Sequence, residues 1–87
     1  MYKVLLERGA KKDLDALDSS LRKKIIERVL LLAEKPRPNG SKKLEGSKNA
    51  WRIRISDLRI IYEISDKKKE IKIYRIKHRS KAYASIY

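Results

Sequence analysis

Apolar residues open the chain at every second position: Tyr2, Val4 and Leu6, set against Lys3 and Glu7, follow the period of a β-strand. Gly9 breaks that pattern. Ala10, Leu14 and Leu17 then fall at i, i+4 and i+7, one apolar stripe along a short helix. Asp18, Ser19 and Ser20 interrupt the stripe and supply N-cap candidates for a second, longer helix. In that helix Leu21, Ile25, Val29 and Leu32 form a seam, with Ile26, Leu30 and Ala33 beside it, a stripe wide enough to cover a sheet. Pro36 and Pro38 end it, because proline lacks an amide donor and disfavours helix in the residue before it.

Asn39 to Asn49 is a polar connection carrying lysine and glycine, with room for a short strand around Lys43 and Leu44. Beyond it Trp51, Ile53 and Ile55 alternate with Arg52 and Arg54, and Ser56 and Asp57 turn the chain into Leu58, Ile60, Tyr62 and Ile64. Asp66 to Lys69 makes a second turn into a strand over Ile71 to Ile76, followed by a short basic tail or helical turn. The order β-α-α-β-β-β predicts an α+β fold. Two N-terminal helices should pack on one face of a small, antiparallel-dominated four-stranded sheet, leaving the other face open for function. With 87 residues, the chain has room for a single domain spanning 1–87.

Charge sharpens this picture. A formal net charge of +13 points to a polyanionic partner, since basic surfaces gain from counterion release on phosphate. The first 35 residues mix signs, with Glu7, Asp13, Asp15, Asp18, Glu27 and Glu34 among the basic residues. From Lys67 onward, Glu70 is the sole acid against Lys67, Lys68, Lys69, Lys72, Arg75, Lys77, Arg79 and Lys81. There is no cysteine and one histidine, His78, so neither a metal nor a cofactor is expected. No apolar leader opens the chain and the longest apolar run is Val29 to Ala33, which predicts a soluble, cytoplasmic protein that stays off membranes.

Strand parity adds a possible site. If Trp51, Ile53 and Ile55 face the helices, Arg52 and Arg54 project from the opposite side about 7 Å apart. The same alternation in the next strand sends Arg59 outward to join them. Three guanidinium groups, permanently charged and forked, make a phosphate cradle; the plainer alternative is arginine as ordinary solvated sheet surface. Trp51 shares parity with the isoleucines and reads as core rather than as a stacking platform for bases.

The segments Lys43-Leu44-Glu45-Gly46, Trp51-Arg52-Ile53-Arg54-Ile55 and Leu58-Arg59-Ile60-Ile61-Tyr62 resemble the RelE/ParE toxin superfamily, in particular its RelE-type mRNA interferases. Ile76 to Tyr83 is similar to that superfamily's closing strand and its Arg-x-x-aliphatic-Tyr ending. The resemblance implies the toxin of a type II toxin–antitoxin system, a ribosome-dependent mRNA endonuclease that cleaves A-site codons without a metal. The ribose 2′-hydroxyl attacks the adjacent phosphorus while the protein orients the attack and stabilises charge.

By the same resemblance, Arg59 matches the arginine on the scissile phosphate. Arg52 and Arg54 hold positions where some members carry lysine. Arginine keeps its proton too tightly to serve as a base, so these two are assigned to positioning and charge stabilisation. Lys77 falls where some members bind phosphate, although a small register shift would give that role to Arg79. Tyr83 matches a C-terminal tyrosine that stacks on a base and exchanges the 2′-hydroxyl proton; packing against the sheet is the plainer reading. Lys42, Lys43, Lys48, Arg79, Lys81 and His78 are the remaining RNA-binding candidates, with His78 ranked below Tyr83 because its parity points away from Arg59. The implied partners are the ribosome, mRNA and an acidic, RelB-like antitoxin that folds over the basic face. Two rival readings are a ParE-like DNA gyrase inhibitor, which would not need the basic face, and a non-catalytic RNA-binding module, which would need exposed sheet aromatics.

Overall fold

The structure, a computed structural model, describes residues 1–78. The elements run β1 (Lys3–Leu6), α1 (Arg8–Asp15), α2 (Ser19–Glu34), β2 (Lys42–Lys43), β3 (Ala50–Ile55), β4 (Leu58–Ser65) and β5 (Glu70–His78). They form one sheet in the order β1-β5-β4-β3-β2, so the sheet has five strands rather than the four expected. The fifth is the two-residue β2, close to the short strand allowed for around Lys43 and Leu44 but not counted in the sheet, which pairs antiparallel with β3 through Lys42↔Arg52 and Lys43↔Trp51. The three other pairings include one parallel contact: β1 lies along β5, with Val4 opposite Ile71 and Leu6 opposite Ile73. The intervening helices make that crossover possible, since parallel neighbours need a long connection.

Both helix boundaries follow local chemistry. The Asp18 side chain accepts a hydrogen bond from the Leu21 amide at 2.8 Å, satisfying one orphan donor at the start of α2. At its other end α2 stops at Glu34, with Lys35 as C-cap directly before Pro36. The core lies between the helices and one sheet face. Ala10 and Leu14 of α1 and Ile25, Val29 and Leu32 of α2 meet Ile53, Ile55, Leu58, Ile60, Tyr62, Ile64, Ile71, Ile73 and Ile76. Trp51 packs on the edge of this cluster, with the Arg37 guanidinium 5.2 Å from its ring centroid, as expected of a core-facing residue. No helix among the described residues is long and apolar enough to cross a membrane.

The buried stripe of α2 is narrower than its periodicity suggests. Ile26 and Leu30 are exposed, Leu30 at 59%, and they border an apolar groove of about 190 Å³ shared with Val4, Leu6, Leu14 and Ile76. The small sheet is covered by one seam of the helix with Ala33 beside it, while Ile26 and Leu30 reach solvent.

Tyr62 ties the loop after α2 to the sheet. Its ring is fully buried, its hydroxyl donates to the Pro36 carbonyl at 2.7 Å, and burial pushes the phenol up to about 12. Tyr62→Phe leaves that carbonyl unpaired, and we expect a loss of about 1 to 3 kcal/mol, read as a lower urea midpoint with an unchanged slope.

Candidate nucleic-acid interface

The side chains opposite the helices are placed by the register of the three long strands. In β3 and β4 Arg54 pairs with Arg59 and Arg52 with Ile61; in β4 and β5 Arg59 pairs with Lys77 and Ile61 with Arg75. Paired residues share a face, so two rows form on the outer side: Arg54, Arg59 and Lys77, then Lys42, Arg52, Ile61 and Arg75. Adjacent strands lie roughly 4.8 Å apart, which brings these cations around one another within the footprint of a phosphodiester and its neighbours. Like charges directly opposite in a sheet are destabilising, so the first row costs stability that a neutral row would not.

Arg59 stands at the centre. It is 5% exposed, and its Nε and Nη1 are buried with no hydrogen-bond partner among the described residues. Ile61, one position along the same face, is 2% exposed and lies outside the main core cluster. The outer face is therefore not open at its centre, contrary to the expectation from layering alone. Arg54 is exposed, while Arg52 and Lys77 are half-buried, so the cations form a graded rim around a sequestered guanidinium. A guanidinium stays charged at any relevant pH, and donors without partners in a poorly solvated position favour an anionic acceptor.

The three arginines that parity puts on one face, Arg52, Arg54 and Arg59, are thus brought together, and Lys77 joins them in register. Lys42 sits beside Arg52 on the same face. Lys43 pairs with Trp51 on the helix side and stands apart from the cluster. Lys48 is exposed in the bend between β2 and β3. His78 pairs with the core residue Leu58, which puts it on the face away from Arg59. Tyr83, Arg79 and Lys81 lie outside the described residues.

Two participants escape a reading by alternation. Between Ile61 and Tyr62 the β4–β5 register slips: Ile61 faces Arg75 and Tyr62 faces Ile73, so Tyr74 is an extra residue in a β-bulge. The signal was present in the spacing, because Ile73 and Ile76 are both buried yet three positions apart. The bulge carries Arg75 and Lys77 onto the cationic face. It also brings in Asp13 of α1, whose carboxylate accepts from Arg75 Nε at 2.9 Å, Arg75 Nη2 at 3.1 Å and the Ile76 amide at 2.9 Å. Lys77 Nζ lies 3.4 Å from the same carboxylate. Burial pushes the Asp13 carboxyl up, but the Arg75 hydrogen bonds, the Ile76 amide and the charges of Arg75 and Lys77 outweigh that and hold it below the ordinary aspartate range. Gly9 permits the approach of α1, since a Cβ there would sit 3.0 Å from Arg75 Cδ and 3.4 Å from the Tyr74 carbonyl oxygen.

A helical pair on one face of a mixed sheet, with a cationic cluster on the other, makes this a small basic α+β protein, and solved structures share its fold. A chain of the archaeal RelE–RelB complex from Pyrococcus horikoshii OT3 is 31% identical, with a TM-score of 0.81, the match covering 93% of this chain and 98% of that one. The RelB–RelE antitoxin–toxin complex from Methanococcus jannaschii matches at 26% identity and a TM-score of 0.75, over 95% and 99% of the two chains. The RelBE2 toxin–antitoxin complex from Mycobacterium tuberculosis matches at 25% identity and 0.79, over 90% and 98%. No curated protein sequence matches the chain. The family model for the ParE toxin of type II toxin–antitoxin systems matches residues 4–83. The chain belongs to that family, within the RelE/ParE toxin superfamily.

Proposed function

We propose that this toxin is a metal-independent endoribonuclease that cuts mRNA in the ribosomal A site, and that Arg59 is its principal catalytic residue. The observation that carries the reading is the Arg54–Arg59–Lys77 row around a buried, incompletely paired guanidinium. The ribose 2′-oxygen, losing its proton, attacks the adjacent phosphorus, the bond to the 5′-oxygen breaks as that oxygen takes a proton from water, and the products are a 2′,3′-cyclic phosphate and a 5′-hydroxyl. Negative charge grows on the non-bridging oxygens as the phosphorus becomes five-coordinate. Arg59, preorganised where water cannot screen it, meets that charge, and Arg52, Arg54 and Lys77 hold the flanking backbone. None of the arginines can accept the 2′-hydroxyl proton; that role we assign to Tyr83. Lys42, Lys43, Lys48, Arg79, Lys81 and His78 are proposed as outlying RNA contacts, with Lys43 and His78 reaching RNA only beyond the edges of the outer face.

Translating ribosomes incubated with the purified toxin test this directly. Expected are mRNA fragments ending in 2′,3′-cyclic phosphate, formed equally in EDTA concentrations that leave ribosomes intact. The matching family model is that of the ParE toxin, and the resemblance to a ParE-like inhibitor of DNA gyrase gives the second reading. Trapped gyrase–DNA complexes without mRNA cutting would select it.

The solved relatives in complex with RelB antitoxins support a matching partner here, an acidic antitoxin, and a ribosomal target places the toxin's action in the cytoplasm. Besides the charged face, the groove beside Leu30 offers such a partner apolar surface. Leu30→Glu should weaken antitoxin binding roughly tenfold by forcing a charge into a contact that excludes water, without slowing RNA cutting. Titration calorimetry and the cleavage assay together check it.

A further inference from the structure

Resting on the reading of the outer face as an RNA site, a regulation of that site follows from Asp13. The Ile76 amide donates to Asp13, and a strand N–H lies in the plane of the sheet, pointing to one neighbour or the other. Asp13 therefore sits on the side of β5 opposite β4, where β1, paired only as far as Ile73, no longer covers the edge. Arg59 lies on the β4 side, directly across from Lys77. The Lys77 ammonium, 3.4 Å from Asp13, is thus drawn across its own strand and away from the guanidinium it is paired with in register. Arg75 is gripped at two nitrogens, whereas Lys77, on a flexible stem, has a single ion-pair contact among the described residues.

We infer that Asp13 is an internal stand-in for RNA phosphate, a positioning residue that holds Lys77 away from Arg59 until a phosphodiester competes for the ammonium. With Arg75 staying in place, the β5 edge keeps its shape while Lys77 swings to the RNA. The carboxylate is 11% exposed, so bulk solvent screens it poorly and the competition is between two anions for one cation. Asp13 limits resting affinity for RNA and so keeps a highly basic protein from adhering to every polyanion it meets.

Asp13→Asn keeps an acceptor for the Ile76 amide and removes the charge that restrains Lys77. Binding of a short 2′-O-methylated RNA, which lacks the attacking hydroxyl, is followed by fluorescence anisotropy. Expected is about five-fold tighter binding, the scale of one partly exposed ion pair. Asp15→Asn serves as the charge-matched control, because among the described residues Asp15 pairs only with Lys11, on the exposed side of α1. The proposal requires that Asp13→Asn exceed Asp15→Asn and that the excess vanish in the Lys77→Ala background. Equal gains from both variants, or a gain that survives Lys77→Ala, overturn it. Should Asp13→Asn fail to fold, the wild-type Lys77 15Nζ resonance decides: it shifts as RNA is added if the ammonium changes partners, and a stationary resonance while Arg59 signals move overturns the inference. Loss of RNA binding in Arg59→Ala with no special effect of Asp13→Asn would sink this inference alone. Unaltered binding in Arg59→Ala would sink the RNA-site reading beneath it.

Discussion

Arg59→Ala is expected to slow mRNA cutting on translating ribosomes roughly 100- to 1,000-fold, the range for removing one preorganised donor from a developing negative charge. The expectation comes from position as much as charge. Arg54 and Lys77 flank Arg59 in register, but they are more solvated, and solvent has already weakened whatever charge they present. Arg59→Lys should recover only a small part of the rate, because an ammonium lacks the planar fork that reaches two oxygens at once. Single-turnover rates at saturating toxin separate this loss from weaker binding. Equal rates in wild type and Arg59→Ala would remove Arg59 from the catalytic assignment.

The second large effect has the opposite sign for the folded state. Arg59→Met should raise the stability of the protein by about 1 to 3 kcal/mol while slowing cutting as far as Arg59→Ala does, since it replaces a charged group whose buried donors lack partners among the described residues with an apolar one of similar length. It also breaks the run of like charges across β3, β4 and β5. A site that costs stability when empty and is relieved by phosphate follows the general trade between activity and stability. Urea unfolding of both proteins measures the difference. A lower midpoint for Arg59→Met would mean that the native guanidinium is stabilised, and the argument that it awaits an anion would fall.

These two effects also separate the readings of family membership. A gyrase inhibitor built on the same fold has no need for a sequestered guanidinium between two cations, so in that case Arg59→Met would stabilise the fold and leave inhibition intact.

The helical period determined the two helices and their order, and alternation determined the core faces of β3 and β4 and the outward placement of Arg52, Arg54 and Arg59. A two-residue period fixes which residues share a face, although burial of Arg59 and Ile61 on the outer face is not part of that signal. The N-cap at Asp18 and the stop before Pro36 were legible for the same reason, since both act through their own backbone neighbours. Tertiary structure decided the rest. Strict alternation from Ile71 and Ile73 would turn Lys77 toward the helices; the bulge at Tyr74 reverses that and seats Lys77 beside Arg59. Asp13, sixty-odd residues earlier, enters only because α1 closes over the edge that β1 leaves bare. Such contacts depend on long-range closure of the chain, which the local periodicity of a sequence does not encode.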